Sequence, residues 1–193
     1  MAKTISVLKP ISATTETALQ RAIFRNGKTI LGLKTEIEWL DIELPVDSVR
    51  GGRGHCVDLI GKMEENYVIC ELKFGKWGGT DSPQYAADEV RRYYEAVKDN
   101  WRELDKDNSL HHKDGKPFKW EDLAKPSTEL IVAANSSYWA YWYGHRKVED
   151  VKIQSNVICC SIDIPANYFE KQKGNKDKYL PFIDVDDNHW DKL

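Results

Sequence analysis

Asp58 lies inside the apolar run CVDLI, and twelve residues later Glu71-Leu72-Lys73 lies inside the apolar run YVICELKF. Two carboxylates held close repel one another, and the repulsion is relieved by a raised pKa on one of them or by a cation between them. Mg²⁺ suits such a place, because it takes oxygen ligands and keeps several waters; Mn²⁺ is the natural substitute. An ion there could polarise a phosphoryl oxygen. A neighbouring lysine could orient the attacking water or offset charge growing on the phosphate. The residue types therefore point to phosphodiester hydrolysis. The plainer reading is solvated strand carboxylates with a Glu71–Lys73 ion pair, and the apolar neighbours on both sides of each acid argue against it.

This chemistry needs an element that brings the residues together. CVDLI and NYVICELKF flank the polar GKMEE, which is the pattern of a β-hairpin. With the turn centred between Glu64 and Glu65, the constant index sum of antiparallel partners sets Ile60 against Ile69 and Asp58 against Glu71. Opposed side chains share a face with Cβ atoms about 4.5–5.5 Å apart. Lys73, two residues beyond Glu71, shares that face. A slip of one residue would break the cluster.

Around the hairpin, Thr14-Thr15 and ETALQRAIF predict a capped helix with Glu16, Leu19 and Ile23 on one face, ending at Asn26-Gly27. Residues 30 to 46 fit a strand with a bulge, with Ile37 and Trp39 in one alternating stretch and Ile42 and Leu44 in the next. Ser82-Pro83 opens a long helix whose apolar face carries Val90, Tyr94, Val97, Trp101 and Leu104. Residues 105 to 127 read as an exposed loop, TELIVAAN and NVICCSIDI as two more buried strands, and the charged tail from Lys171 as irregular or peripheral.

D-x12-E-x-K on two successive strands, after an acid-bearing helix and before a long one, resembles the PD-(D/E)XK nuclease superfamily. The resemblance spans about residues 14 to 104, with strands near 128–135 and 156–164 completing the sheet. It implies an α/β fold, a mixed central β-sheet flanked by helices in a restriction-endonuclease-like core, as a single domain over 1–193. Asp58, Glu71 and Lys73 match the catalytic motif, and Glu16 matches a further metal-site acid; the Leu72 carbonyl is an additional ligand. Val57 stands where the motif has proline. Gln84 near the start of the long helix is an auxiliary candidate, although a clean Q-x-x-x-Y signature is missing: Gln84 is followed four residues on by Asp88, and Tyr93 is preceded by Glu89.

Phosphate contacts could come from Arg50 and Arg53 in the glycine-rich loop before Asp58, and from Arg91 on the long helix, since arginine binds phosphate bidentately. Ordinary surface arginines are the alternative. The run Tyr138-Trp139-Ala140-Tyr141-Trp142-Tyr143 suits core packing, a subunit interface such as that of a homodimer, or stacking on unpaired bases.

Composition bounds these readings. The chain has 193 residues, 41% hydrophobic and 31% charged, with a net charge of −3, so it is no polycation and a nucleic-acid face would need its basic groups concentrated. Its apolar runs fall far short of the roughly 20 residues that span a bilayer. The N-terminus lacks a secretion-type apolar segment, and four scattered cysteines without C-x-x-C fit reduced thiols in the cytoplasm. The expectation is a cytoplasmic Mg²⁺-dependent nuclease acting on DNA rather than RNA. Its rivals are a catalytically inactive nucleic-acid-binding or assembly module and a metal-dependent hydrolase of a small phosphorylated substrate.

Overall fold

The first helix, α1 (Glu16–Asn26), follows Thr15 as its N-cap and ends at Gly27, whose φ of +76° is a left-handed conformation that glycine adopts without a Cβ penalty. Its buried face carries Leu19 and Ile23, as their spacing predicts, and also the polar Gln20. The computed structural model describes residues 8–46, 56–75, 81–107, 111–145, 153, 156–174 and 178–193.

Strand β1 (Lys28–Leu31) turns antiparallel into β2 (Thr35–Pro45), dividing the stretch that the pattern assigned to one bulged strand. The expected bulge is there: the register of β2 against β3 (Cys56–Met63) shifts between Trp39 and Asp41. A second irregularity, at Glu43 with φ +50°, goes with Ile42 and Leu44 joining different hydrophobic clusters, although alternation placed them on one face. β4 (Asn66–Lys73) returns antiparallel to β3 through Glu64-Glu65, with Ile60 opposite Ile69. Glu64 has φ +55° in that turn.

Helix α2 (Pro83–Lys106) is capped by Ser82, whose Oγ accepts from Tyr85 N–H at 3.2 Å. The short α3 (Trp120–Leu123) precedes β5 (Glu129–Asn135), which runs parallel to β4. The segment 105–127 is thus more than an exposed loop, because Trp120, Leu123 and His112 are buried. Helix α4 (Ser136–His145) leads on toward β6 (Val157–Ile162), parallel to β5. Both parallel pairs span connections long enough for a crossover. α5 (Tyr168–Lys173) and a 3-10 turn (Asp186–Asn188) precede β7 (His189–Lys192).

β7 pairs antiparallel with β6 through Ile162 and Trp190, and parallel with β1 through Ile30 and His189. The strands therefore close in the order β1-β2-β3-β4-β5-β6-β7. This closed barrel overturns the open mixed sheet flanked by helices that the resemblance implies, and it gives the charged tail a central place. The tail misleads because HWDK has one apolar side chain among polar ones. That side chain, Trp190, is fully buried with its ring 5.4 Å from that of Trp39. Buried Asn188 fastens the closure by donating to the Lys28 carbonyl at 2.6 Å.

One hydrophobic cluster joins α1 and α5 to Ile37, Trp39, Leu59, Cys70, Leu72 and Trp190. The other joins α2, α3 and α4 to Leu44, Ile60, Ile69, Leu130 and Val132. Trp39 crosses so near β3 that a Cβ on Gly61 would stand 2.8 Å from its ring. Among the described residues no helix is long and apolar enough to cross a membrane, and Cys56, Cys70, Cys159 and Cys160 are free thiols.

Candidate active site

The β3–β4 ladder ends with Leu59 opposite Cys70, one pair short of Asp58. Beyond it a side chain replaces the backbone, and Leu72 N–H donates to Asp58 Oδ2 at 2.8 Å. A strand residue sends its N–H and C=O to the same side, so the Leu72 carbonyl also faces β3. From α1, Gln20 Nε2 donates to the Asp58 carbonyl oxygen at 2.8 Å and to Oδ1 at 3.2 Å.

On β4, Glu71 and Lys73 are both buried, at 3% and 6% exposure. Lys73 Nζ donates to Glu71 Oε1 at 2.7 Å and to Glu89 Oε2 of α2 at 3.0 Å, and it lies 3.5 Å from Asp81 Oδ2. Glu16 of α1 belongs to the same neighbourhood: the Phe74 N–H hydrogen-bonds it, and it feels the charges of Lys73, Asp81 and Glu89. The fold thus brings Glu16, Asp58, Glu71 and Lys73 together.

Burial first, and the Glu16 carboxylate second, push Asp58 from an ordinary 3.8 up to about 7. Glu71 is raised well above the usual carboxylate value, by burial and then by the Asp58 charge. Burial also raises Glu16. Burial alone would lower Lys73, but the charges of Glu71 and Glu16 outweigh it, and the ammonium is held above its ordinary value. Acids thus crowd a single buried ammonium and resist losing their last protons.

Gln84 and Arg91 go elsewhere. Gln84 Nε2 bonds both Asp88 oxygens at 3.0 Å, and Arg91 bonds Asp88 at 3.1 Å and Asn156. They form a surface network on α2 that does not join the acids. Arg50 and Arg53 lie outside the described residues. In the aromatic run, Tyr138 and Trp139 are buried and Tyr143 is 53% exposed. Tyr138 Oη donates to the Asp81 carbonyl at 2.7 Å, so α4 abuts the site.

The motif reading passed over Gln20, Asp81 and Glu89. A signal existed for two of them. Gln20 follows Glu16 by one turn and sits beside Leu19 in the apolar stripe of α1. Glu89 falls at helical spacing between buried Ala86 and Tyr93. A polar residue inside a buried stripe is the kind of exception that calls for a partner.

Glu71 Oε2 is buried and has no hydrogen-bond partner. Among the described residues, no group of three His, Cys, Asp or Glu side chains is spaced to hold a metal ion by itself. A hard cation here would draw on Glu71 Oε2, on backbone oxygen and on water, a mixed set that suits Mg²⁺. The donor chemistry fits. No protein-family model matches the chain, and no curated protein or solved structure shows significant similarity to it.

A second buried carboxylate provides a contrast. Asp41 on β2 is fully buried, with Oδ1 accepting from Ile42 N–H at 2.9 Å and lying 3.1 Å from His112 Nδ1. Oδ2 accepts from His112 N–H at 3.2 Å and lies 3.4 Å from His111 Nδ1. Burial works to raise its pKa, but the hydrogen bonds from His111, His112 and Ile42 win and hold it below the ordinary value.

Proposed function

We propose that this protein is a Mg²⁺-dependent nuclease that hydrolyses phosphodiester bonds, in DNA rather than RNA, in the cytoplasm. One observation carries the proposal: the buried, unpartnered Glu71 Oε2 lies in a cluster with Asp58 and Glu16, whose proton affinities are raised, beside a charged lysine. The PD-(D/E)XK resemblance supports it through the D-x12-E-x-K motif alone, since the barrel departs from that superfamily's core. Four free thiols support the compartment.

Of the expected ligands, Glu71 Oε2 and the Leu72 carbonyl would hold the ion together with water, while Asp58 and Glu16, which are not spaced with Glu71 as a three-carboxylate set, would add negative charge around it. When bound, Mg²⁺ supplies Lewis acidity toward a phosphoryl oxygen. Leu72 N–H and Gln20 orient the Asp58 carboxylate, and Glu71 and Glu89 orient the Lys73 ammonium. Lys73 supplies positive charge for the developing phosphate and a donor for the attacking water.

One observation favours the alternative of a module that binds nucleic acid without cleaving it. The three donors of the Lys73 ammonium face Glu71, Glu89 and Asp81, so one must let go before the lysine can serve a substrate. The deciding experiment is a panel of single-stranded, duplex, branched and RNA substrates with Mg²⁺ or Mn²⁺, run on wild type, Asp58→Ala and Lys73→Ala. Metal-dependent cleavage lost in both variants supports the nuclease. Unchanged cleavage in both would sink it. Binding without cleavage, and without carboxylate-dependent metal affinity by calorimetry, favours the module.

A further inference from the structure

Asp58 sits where the β3–β4 ladder gives out; β2 still pairs with β3 on both sides of it, but toward β4 its carboxylate is held by side-chain contacts in place of a ladder. The last ladder pair is Leu59 with Cys70, and past it Leu72 N–H bonds the Asp58 carboxylate instead of a backbone carbonyl. The contact from outside the sheet is Gln20. Its amide nitrogen reaches both the Asp58 carbonyl oxygen, at 2.8 Å, and Oδ1, at 3.2 Å, bridging backbone and side chain of one residue. Gln20 is 4% exposed and lies among the buried apolar residues of α1. Removing a polar group from water is unfavourable unless its bonds are remade, and here Asp58 remakes them. Glu16 lies one turn earlier on α1. A single helical face thus brings both an acid and the group that orients another acid.

We infer that Gln20 is the positioning residue of the candidate metal site, bridging the backbone and carboxylate of Asp58 so that its oxygens stay aligned with Glu71 for a divalent cation. The metal part rests on the nuclease reading; the anchoring part does not. An outer residue that orients a metal-binding carboxylate typically contributes 10- to 100-fold in metal affinity.

The test compares wild type with Gln20→Met, which keeps the side-chain length but has no donor, in two measurements on the full chain. The first is hydrogen exchange of the Leu72 amide without metal. The second is calorimetric Mn²⁺ affinity, with Asp58→Ala as the reference for loss of the site. Gln20→Met should speed Leu72 exchange about tenfold through easier local opening and weaken Mn²⁺ binding about 10- to 100-fold. A purely structural role would lower the denaturation midpoint and leave both quantities unchanged in the folded protein; that result overturns the inference. If wild type shows no Asp58-dependent Mn²⁺ affinity but the Leu72 amide still loosens, the anchor stands and the metal reading fails. Should Gln20→Met not fold, Gln20→Leu takes its place in the exchange measurement, since leucine suits the buried stripe of α1 and has no donor; unchanged exchange there also overturns the inference.

Discussion

Asp41, fully buried, and Asp58, half-buried, are both strand carboxylates largely removed from water, yet their proton affinities move in opposite directions. Asp41 is surrounded by donors: a backbone N–H on each oxygen, and two histidine rings. Asp58 accepts from Leu72 N–H and Gln20, hydrogen-bonds the Glu71 carboxyl when a proton lies between them, and shares its surroundings with Glu16. Burial pushes both upward, and the neighbours decide the outcome. The Asp41 cluster ties the segment around His112 to β2, with a donor on each carboxylate oxygen, although His111 Nδ1, 3.4 Å from Oδ2, makes no well-directed hydrogen bond of its own. The Asp58 cluster differs in the balance of charge: acids are in excess over donors, and its unpartnered atom is a carboxylate oxygen of Glu71 and not a ring nitrogen. Incomplete compensation of this kind is what the proposed metal site would require of these acids.

The largest difference should appear on mutation. Asp41→Ala leaves His111, His112 and two backbone N–H groups without their acceptor and should cost about 3–5 kcal/mol of stability in urea unfolding. Asp58→Asn keeps the side-chain shape and removes repulsion with Glu16, so at pH 7 it should leave metal-free stability unchanged or higher. Equal losses in the two variants would erase the distinction.

The pH dependence should separate them next. Asp58, raised from 3.8 to about 7, binds its proton more tightly in the folded than in the unfolded chain. Metal-free stability should therefore fall as pH rises from about 4 to about 7, on the order of 4 kcal/mol. Asp58→Asn should flatten that fall, and added Mg²⁺ should oppose it in wild type. Asp41, held below its ordinary value, stabilises the fold above about pH 4, and this contribution disappears as pH drops through its lowered folded value. Urea midpoints of wild type, Asp58→Asn and Asp41→Asn across pH 3 to 8, a range of roughly five units, give both slopes.

Smaller effects probe the supports. A Cβ on Gly115 would stand 2.5 Å from Asp41 Oδ2, so Gly115→Ala should cost about 1–3 kcal/mol while leaving metal affinity at Asp58 intact. Glu64 holds φ +55° in the turn that sets the Asp58 register. Glu64→Gly should relieve that strain and raise stability by about 0.5–1 kcal/mol, with Mn²⁺ affinity unchanged.

Much of the site could be read along the chain, and less of the architecture. The β3–β4 hairpin was legible because period-two alternation and a central polar turn leave few registers, and Ile60 does face Ile69. The long helix was legible from its cap and apolar stripe. Closure of the barrel was not, because it depends on Trp190, a single aromatic residue in a charged tail whose partners Ile162 and Leu31 lie far away in sequence. Gln84 and Arg91 were site candidates by type and position; both bond Asp88, within one turn of each, and neither bonds Glu71 or Lys73.

The sequence by itself determined the β3–β4 hairpin and the buried strands β5 and β6, that Asp58 and Glu71 lie just past the last ladder pair of that hairpin, and that Lys73 follows Glu71 by one strand period, because these are consequences of local period and turn position. Only the tertiary structure decided that α1 delivers Gln20 and Glu16 to that hairpin, that α2 sends Glu89 to Lys73, and that β7 seals the sheet against β1. Those choices depend on which buried surfaces meet across long separations, and no local pattern encodes the partner of a single buried Gln or Trp.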